Sequence, residues 1–209
     1  MAAPAGHRGA IVRAAATLFR RNGFAATGIN EIVAVSGAPK GSLYHYFPDG
    51  KDQIAEAAIR FAGAGLVATL EKLESEHDTA ASMIRAYCRL LAGWMAKSGF
   101  RDGCPISTTL LESAPQSVTL TAAGREAFAL WRAVIARALV RDGFGKAEAK
   151  RLATLAVSAI EGALILARVE ASASPIDDVA GSLAKAFSSD RAAGSRRENG
   201  STRKPGARI

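Results

Sequence analysis

The stretch TGINEIVAVSGAPKGSLYHYFPDGK, Thr27–Lys51, decides the fold of the N-terminal part of the chain. Apolar residues recur at helical spacing before Ser36, which predicts a first short helix. Gly37 interrupts this pattern, because glycine readily takes the positive φ that a sharp turn needs. Pro39 then opens a second helix, where a residue without an amide hydrogen costs little. The stretch therefore predicts two short helices joined by a tight turn.

The second predicted helix, residues 39–47, has an apolar side and a polar side. Leu43 and Phe47 lie four residues apart and can pack inward together. The other side chains offer ammonium, hydroxyl and imidazole groups that can reach phosphates and base edges. We interpret the stretch as a helix-turn-helix whose second helix reads DNA; for His45 the alternative is a surface histidine without a role. The candidate DNA contacts are Lys40, Gly41, Ser42, Tyr44, His45 and Tyr46, flanked by Thr27, Gly28 and Lys51.

At these residues the chain resembles the TetR family of bacterial transcriptional regulators. The resemblance covers about residues 8–60, and it is carried by Gly23-Phe24, Ile32, Gly37 and the run KGSLYHYF. It implies a three-helix DNA-binding domain. Gly28 departs from the family pattern, in which a Ser or Thr often caps the helix and contacts phosphate. Either the Thr27 side chain or the Gly28 backbone N–H would then take that role.

The C-terminal half carries a second set of motifs: Gly103-Cys104-Pro105, Glu112, Ala127-Phe128, Trp131, Ile160-Glu161-Gly162-Ala163 and Ala167-Arg168. At these residues the chain resembles the LmrA/YxaF-like branch of the same family. Members of that branch are repressors, often of efflux or detoxification genes, and planar aromatic or drug-like molecules release them. The resemblance therefore implies a small hydrophobic or aromatic effector.

The composition favours a helical protein with a proper core. The chain has 209 residues, of which 49% are apolar and 22% charged, enough for one or two small domains. No alternating run of β-branched residues predicts a strand. Neither a signal pattern nor an apolar segment of membrane-spanning length is recognised, and two cysteines are too few for a disulfide framework. We predict an all-α cytoplasmic protein with an N-terminal helix-turn-helix domain and a C-terminal helical ligand-binding and dimerisation domain.

The positive charge of the chain is concentrated at its two ends. Residues 1–51 and residues 190–209 each hold six Lys/Arg and two Asp/Glu, whereas residues 52–189 hold fifteen of each kind. This distribution suits a protein that docks one end on phosphates; the alternative is a general gain in solubility. The predicted domains are 1–50 for DNA binding, 51–189 for effector binding and dimerisation, and 190–209 as a disordered basic tail.

The last two predicted helices, residues 146–171 and 177–188, carry a wide apolar stripe rich in alanine. Such a stripe suits a four-helix dimer interface with two helices from each subunit; an intramolecular core is the alternative. A helix-turn-helix of this size usually binds as a dimer to two half-sites, which favours the interface. The predicted interface residues are Leu152, Leu155, Ala156, Ala159, Ile160, Ala163, Leu164, Leu183 and Phe187.

The middle helices carry most of the large aromatic side chains, including both tryptophans. A pocket that is apolar with a few polar groups is the default ligand site, although the pattern alone also suits a plain core. The resemblance favours the pocket, because TetR-like proteins commonly bind a small effector between these helices. The predicted ligand-binding residues are Phe61, Tyr87, Trp94, Met95, Phe100, Cys104, Phe128, Trp131 and Glu161.

Two polar side chains of this region have open roles. Glu161 lies in an apolar run, where an ionised carboxylate is costly unless it is paired. It can accept a hydrogen bond from a ligand, pair with Arg168 or Arg132, or point outward. Cys104 lies close in sequence to Arg101 and to a helix start, and both features lower a thiol pKa. A thiol-based redox sensor is therefore an alternative to a small buried cysteine.

No motif for catalysis, a cofactor or a metal is recognised. The three histidines are not spaced with cysteines or carboxylates as metal ligands are, and nucleophile elbows, phosphate loops and dinucleotide fingerprints are absent from the sequence. We predict a homodimeric, ligand-responsive repressor that binds a pseudopalindromic operator and is not an enzyme. The competing interpretations are an effector-independent or architectural DNA-binding protein, which the basic tail would allow, and a ligand-binding activator.

Overall fold

The structure is a computed structural model, and it describes residues 6–188. Within that range the regular elements are α-helices, which confirms the predicted all-α class. The predicted basic tail, 190–209, lies outside the described residues. The helices are α1 (Gly6–Asn22), α2 (Ile29–Ser36), α3 (Lys40–Tyr46), α4 (Lys51–Glu76), α5 (Ala80–Lys97), α6 (Pro105–Ser113), α7 (Val118–Arg141), α8 (Lys146–Glu170) and α9 (Ser174–Ala186).

The turn between α2 and α3 forms where the glycine and proline predict it. Gly37 takes a left-handed conformation with φ of 65°. The Ser36 hydroxyl accepts from the Ala38 amide (3.2 Å) and donates to the Val33 carbonyl (2.9 Å). Pro39 stands at the N-cap of α3, one position before the first helical residue. Local backbone preferences thus set the angle between the two helices.

The first three helices and the start of α4 share one apolar core. Phe19, Ile32 and Leu43, from α1, α2 and α3, are each 0% exposed in it. The same core continues into Ile106 of α6 and Ala127 of α7. The DNA-binding head is therefore joined to the C-terminal body by continuous apolar packing.

A second core fills the C-terminal body between α4, α5, α7, α8 and α9. Helix α4 runs through both cores, with Ile54 and Ile59 in the first and Leu70 and Leu73 in the second. Midway, a Cβ on Gly63 would lie 3.0 Å from the Ala127 Cβ, so the glycine allows α4 and α7 to approach closely. This geometry makes α4 a rigid connection between head and body.

Most of the residues predicted for a dimer interface are buried within the single chain. Ala156, Ile160, Ala163, Leu164, Leu183 and Phe187 are each at most 7% exposed and belong to the second core. The prediction is wrong for these six, because the apolar stripe of α8 is wide enough to cover two faces. One face packs against α5, α7 and α9.

The second face of α8 is apolar and exposed. Leu155 and Leu166 are each 52% exposed, and Val169 is 78% exposed. Leu152, Ala159 and Gly162 are partly exposed between and beside them. Positions 152, 155, 159, 162, 166 and 169 repeat at helical spacing, so they form one stripe, which we call the outer face of α8.

Among residues 6–188, α8 is the helix whose length and composition would also allow it to cross a membrane. A core helix passes the same test, and one side of α8 is buried in the second core. Its outer face accounts for the remaining apolar character.

Candidate DNA-binding surface and effector cavity

Helix α3 presents a polar surface to solvent. Lys40, Gly41, Tyr44, His45 and Tyr46 are exposed and Ser42 is partly exposed, while Leu43 is buried beneath them. The rings of His45 and Tyr46 meet edge to face at 4.9 Å. Six of the predicted DNA contacts are therefore gathered on one exposed helix.

Thr27 is not available to DNA, contrary to the prediction. Its side chain is 0% exposed, and its hydroxyl donates to the Gly23 carbonyl at 2.7 Å. Gly28 is exposed and is the N-cap of α2, which has no side-chain cap. At this end of α2 the backbone N–H groups, that of Gly28 among them, are therefore the candidate donors to a phosphate.

The ammonium group of Lys51 packs against the head itself. It donates to the Ala25 carbonyl at 3.2 Å and lies 4.4 Å from the centroid of the Phe24 ring. Burial lowers the pKa of Lys51, while the carboxylates of Glu112 and Asp52 raise it. Lys51 is partly exposed and an ammonium has three donors, so a contact with a DNA phosphate remains a prediction.

Glu112 of α6, in the body, also fixes the loop after α1. The Glu112 carboxylate accepts from the Ala25 amide, a contact that spans 87 positions of the chain. Gly23 lies beside it with φ of 87°, and a Cβ there would clash with the Glu112 carboxylate. Glu112 therefore links α6 to the helix-turn-helix, a role that the sequence analysis did not identify.

A cavity of about 400 Å³ lies between α1, α4, α5, α6, α7 and α8. Its size and its mainly apolar and aromatic walls suit a small organic ligand. The predicted ligand-binding residues in its walls are Phe61, Tyr87, Trp94, Met95, Cys104, Trp131 and Glu161.

Two predicted ligand-binding residues do not line the cavity. Phe128 stacks on the Trp131 ring at 6.2 Å, and it packs against the core. Phe100 lies in the loop after α5 with φ of 58° and packs against the second core. These two rings were predicted from their aromatic character, which does not distinguish a cavity wall from the core beside it.

Helix α1 contributes a wall that the sequence analysis missed. Arg13, Ala16, Thr17 and Arg20 line the cavity. Their spacing of i, i+3, i+4 and i+7 is the signal for one helix face. The apolar residues of α1 lie mainly on its other side, so the hydrophobic pattern alone does not indicate this face. Leu164, predicted for the dimer interface, also lines the cavity.

Polar contacts tie the end of α1 to the body beside this cavity. Arg20 and Arg21 reach the Asp102 carboxylate at 3.0 and 3.2 Å. The Gly103 amide donates to the Arg20 carbonyl at 2.9 Å, and Arg168 donates to the Arg21 carbonyl at 3.3 Å. The two guanidinium groups stay partly exposed, whereas Asp102 is buried between them. These contacts fix the end of α1 to the loop before α6.

The carboxyl group of Glu161 lies in the cavity wall, and its Oε1 makes no hydrogen bond within the described residues. Of the three alternatives for Glu161, pairing with Arg168 or Arg132 is not observed among the described residues; both guanidinium groups donate to backbone carbonyls. Burial raises the pKa of Glu161, while hydrogen bonds from Cys104 and Ser107 lower it by less. Glu161 is thus a polar group in an apolar wall.

We expect Glu161→Gln to change how stability depends on pH. The folded protein raises the pKa of Glu161 above its usual 4.5. The stability that the protonated carboxyl contributes is therefore complete below about pH 4.5 and is lost as pH rises through the folded pKa. Thermal unfolding of both proteins between about pH 4.5 and about pH 8 measures this, and the Gln variant should gain on the wild type as pH rises. A Tm difference that stays constant would contradict the assignment.

Cys104 lacks the properties of a thiol sensor. Burial and then the charge of Glu161 raise its pKa, and these outweigh the amide contacts of Ser107 and Ile106 that lower it. Arg101 donates instead to a backbone carbonyl. The reactive form of a cysteine is the thiolate, so these surroundings disfavour the redox interpretation. Within residues 6–188, no cluster of His, Cys, Asp or Glu side chains is placed to hold a metal ion.

Comparison with known families covers both halves of the chain. Residues 11–58 match the family described as bacterial regulatory proteins, tetR family. Residues 80–182 match the family described as transcriptional regulator LmrA/YxaF-like, C-terminal domain. The first match lies in the DNA-binding head, and the second lies in the C-terminal body.

Individual relatives agree with these families. The HTH-type transcriptional regulator YxaF of Bacillus subtilis is 34% identical over 166 residues, covering 79% of this chain and 87% of that protein. A Mycobacterium tuberculosis HTH-type transcriptional regulator is 34% identical over 177 residues, covering 82% and 89%. The crystal structure of a TetR transcriptional regulator from Legionella pneumophila shares the fold, with a TM-score of 0.78 at 18% identity over 88% of this chain and 98% of that one. These relatives are regulators and not enzymes, and the chain accordingly belongs to the TetR family of bacterial transcriptional regulators, with an LmrA/YxaF-like C-terminal domain.

Proposed function

We propose that the protein is a cytoplasmic, homodimeric repressor that binds a pseudopalindromic operator and is released by a small hydrophobic or aromatic effector. The observation that carries this proposal is the aromatic-walled cavity of about 400 Å³, which adjoins the DNA-binding head. A site of this size and polarity holds a small organic molecule. Its position allows one ligand to act on both the body and the head.

The outer face of α8 supports the dimer. It exposes large apolar side chains at Leu155, Leu166 and Val169. A contiguous exposed apolar patch marks an interaction surface, and a two-fold dimer needs one self-complementary patch on each subunit. The small residues Ala159 and Gly162 in the same stripe let the two copies of α8 approach closely. We therefore propose this face in place of the six buried positions.

The proposed switch is a change in the spacing of the two recognition helices. Half-sites of an operator lie about one helical turn apart, so both copies of α3 fit only at one separation. Helix α4 passes through both cores, and Phe61 and Leu66 of α4 line the cavity. An effector that shifts α4 then moves the heads apart. A coupling of about 1–3 kcal/mol suffices to change operator occupancy 5–150-fold.

The direct test is a gel shift of the purified protein on its own upstream intergenic DNA, repeated with a panel of planar aromatic compounds. Specific binding that one compound releases would support the proposal. A specificity ratio near one between that DNA and random duplex would favour the architectural alternative. Loss of reporter output in a deletion strain would indicate an activator instead.

Lys40→Ala is expected to weaken binding to all DNA sequences and to flatten its salt dependence. Lys40 is exposed at the start of α3, where an ammonium can contact a phosphate. Loss of one phosphate contact reduces the magnitude of the negative slope of log K against log salt by about 0.9. Fluorescence anisotropy over a salt series measures the slope. Lys97→Ala, an exposed lysine at the end of α5, is the control and should leave it unchanged; an unchanged slope for Lys40→Ala would count against the phosphate contact.

A further inference from the structure

Helix α1 takes part in two structures at once. Ile11, Ala15 and Phe19 are each 0% exposed and pack in the core that also holds α2 and α3. The face with Ala16 and Thr17 lines the cavity of the body. One helix of the DNA-binding head is therefore a wall of the proposed effector site.

The two faces of α1 make different contacts. The face toward α2 and α3 is close-packed, so a shift of α1 carries both helices with it. On the body side, Ala16 and Thr17 border the cavity, while α1 also shares its core with Ile106 of α6 and is held by the contacts of Arg20 with Asp102 and of the Gly103 amide with the Arg20 carbonyl. Pressure from the cavity would therefore move α1 together with the recognition helix rather than separate them.

We propose that the effector binds against α1 itself, with Ala16 and Thr17 as contact residues, and that it acts on DNA binding by displacing α1 directly. This inference rests on the proposed function and adds the part of the site that couples to DNA. The ligand class is an apolar aromatic molecule that spans from the Trp131 side of the cavity to the α1 side. Arg13 and Arg20 form the polar part of the α1 wall.

Thr17→Phe tests the inference without knowledge of the natural effector. Thr17 is partly exposed in the cavity wall, and the cavity has room for an added ring. The ring then occupies the α1 side of the site and pushes on α1 as a bound ligand would. Thr17→Val is the matched control, because it keeps the branched shape and replaces only the hydroxyl by a methyl group.

Two readouts are needed. The first is the affinity for N-phenyl-1-naphthylamine, a neutral aromatic probe whose fluorescence rises in apolar sites. The second is the affinity for the upstream DNA without any ligand. Thr17→Phe should weaken both by about tenfold or more, within the range of allosteric coupling, and Thr17→Val should leave both within about twofold.

Each outcome decides the inference. Unchanged probe affinity in Thr17→Phe would show that α1 does not form part of the site, and unchanged DNA affinity would show that α1 does not couple the site to DNA. If the wild type shows no preference for its upstream DNA, the proposed function fails, and the probe alone still decides whether α1 lines the site. Circular dichroism checks folding, and Thr17→Leu replaces the Phe variant in both readouts if that variant does not fold.

Discussion

Leu166→Glu on the outer face of α8 is expected to convert the proposed dimer into a monomer and to lower operator affinity by at least about a hundredfold. Leu166 is 52% exposed in the single chain, between Gly162 and Val169 of the same stripe. In a two-fold dimer the substitution places a carboxylate from each subunit in an apolar interface. An uncompensated buried charge costs about 3–5 kcal/mol, which exceeds the roughly 2.7 kcal/mol of a hundredfold change. Sedimentation velocity and DNA anisotropy measure the two effects.

Leu130→Glu is the matched control for this prediction. Leu130 is 48% exposed, close to the value for Leu166, but it lies on the side of α7 that carries Glu126 and Arg137. Those two residues form ion pairs with α4 on the outer surface of the body. The control should remain dimeric and bind DNA as the wild type does. A Leu166→Glu protein that stays dimeric would place the interface elsewhere.

Trp131→Ala is expected to lower the free energy of unfolding by about 3–5 kcal/mol, as large-to-small changes of buried aromatics do. Trp131 is 1% exposed, meets the Tyr87 ring edge to face at 6.1 Å and stacks on Phe128 at 6.2 Å. Its ring separates the ligand cavity from the second core. Removing it joins a new void to the existing cavity, so the lining loses contacts that nothing replaces.

Trp131→Phe keeps an aromatic ring at this position but removes the larger indole and its N–H. The Nε1 of Trp131 makes no hydrogen bond within the described residues, so losing it leaves no partner unsatisfied. We expect this variant to lose less stability than Trp131→Ala, because a phenyl ring leaves a smaller void than a methyl group does. Urea unfolding followed by circular dichroism measures both variants. Equal losses for Phe and Ala would contradict the assignment of this stability to packing of the aromatic ring.

The helix-turn-helix could be predicted from the sequence because its determinants are local. Gly37 sets the turn, Pro39 opens α3, and Leu43 marks its buried side within a few residues of each other. The same local pattern predicted which residues of α3 are exposed. It failed at Thr27, because the bond of its hydroxyl to the Gly23 carbonyl depends on how the loop after α1 folds back.

The face of a helix that meets another molecule could not be predicted in this way. On α8 the apolar residues surround much of the helix, so periodicity did not separate the six residues that enter the second core from Leu155, Leu166 and Val169 on the outer face. Which face is covered depends on where α5, α7 and α9 lie. The aromatic residues raised the same difficulty, since Phe128 and Trp131 share one helix but only Trp131 lines the cavity.

The sequence by itself determined the class of fold, the position of the recognition helix and the family, because helical period, turn residues and a nearly contiguous motif act over short distances. Only the tertiary structure decided that α1 forms a wall of the cavity, that Glu112 holds the Ala25 amide, and that Glu161 has no cationic partner among the described residues. These contacts join positions that are far apart along the chain. They form only when packing of the two cores brings distant helices together, and local sequence patterns do not indicate which helices will meet.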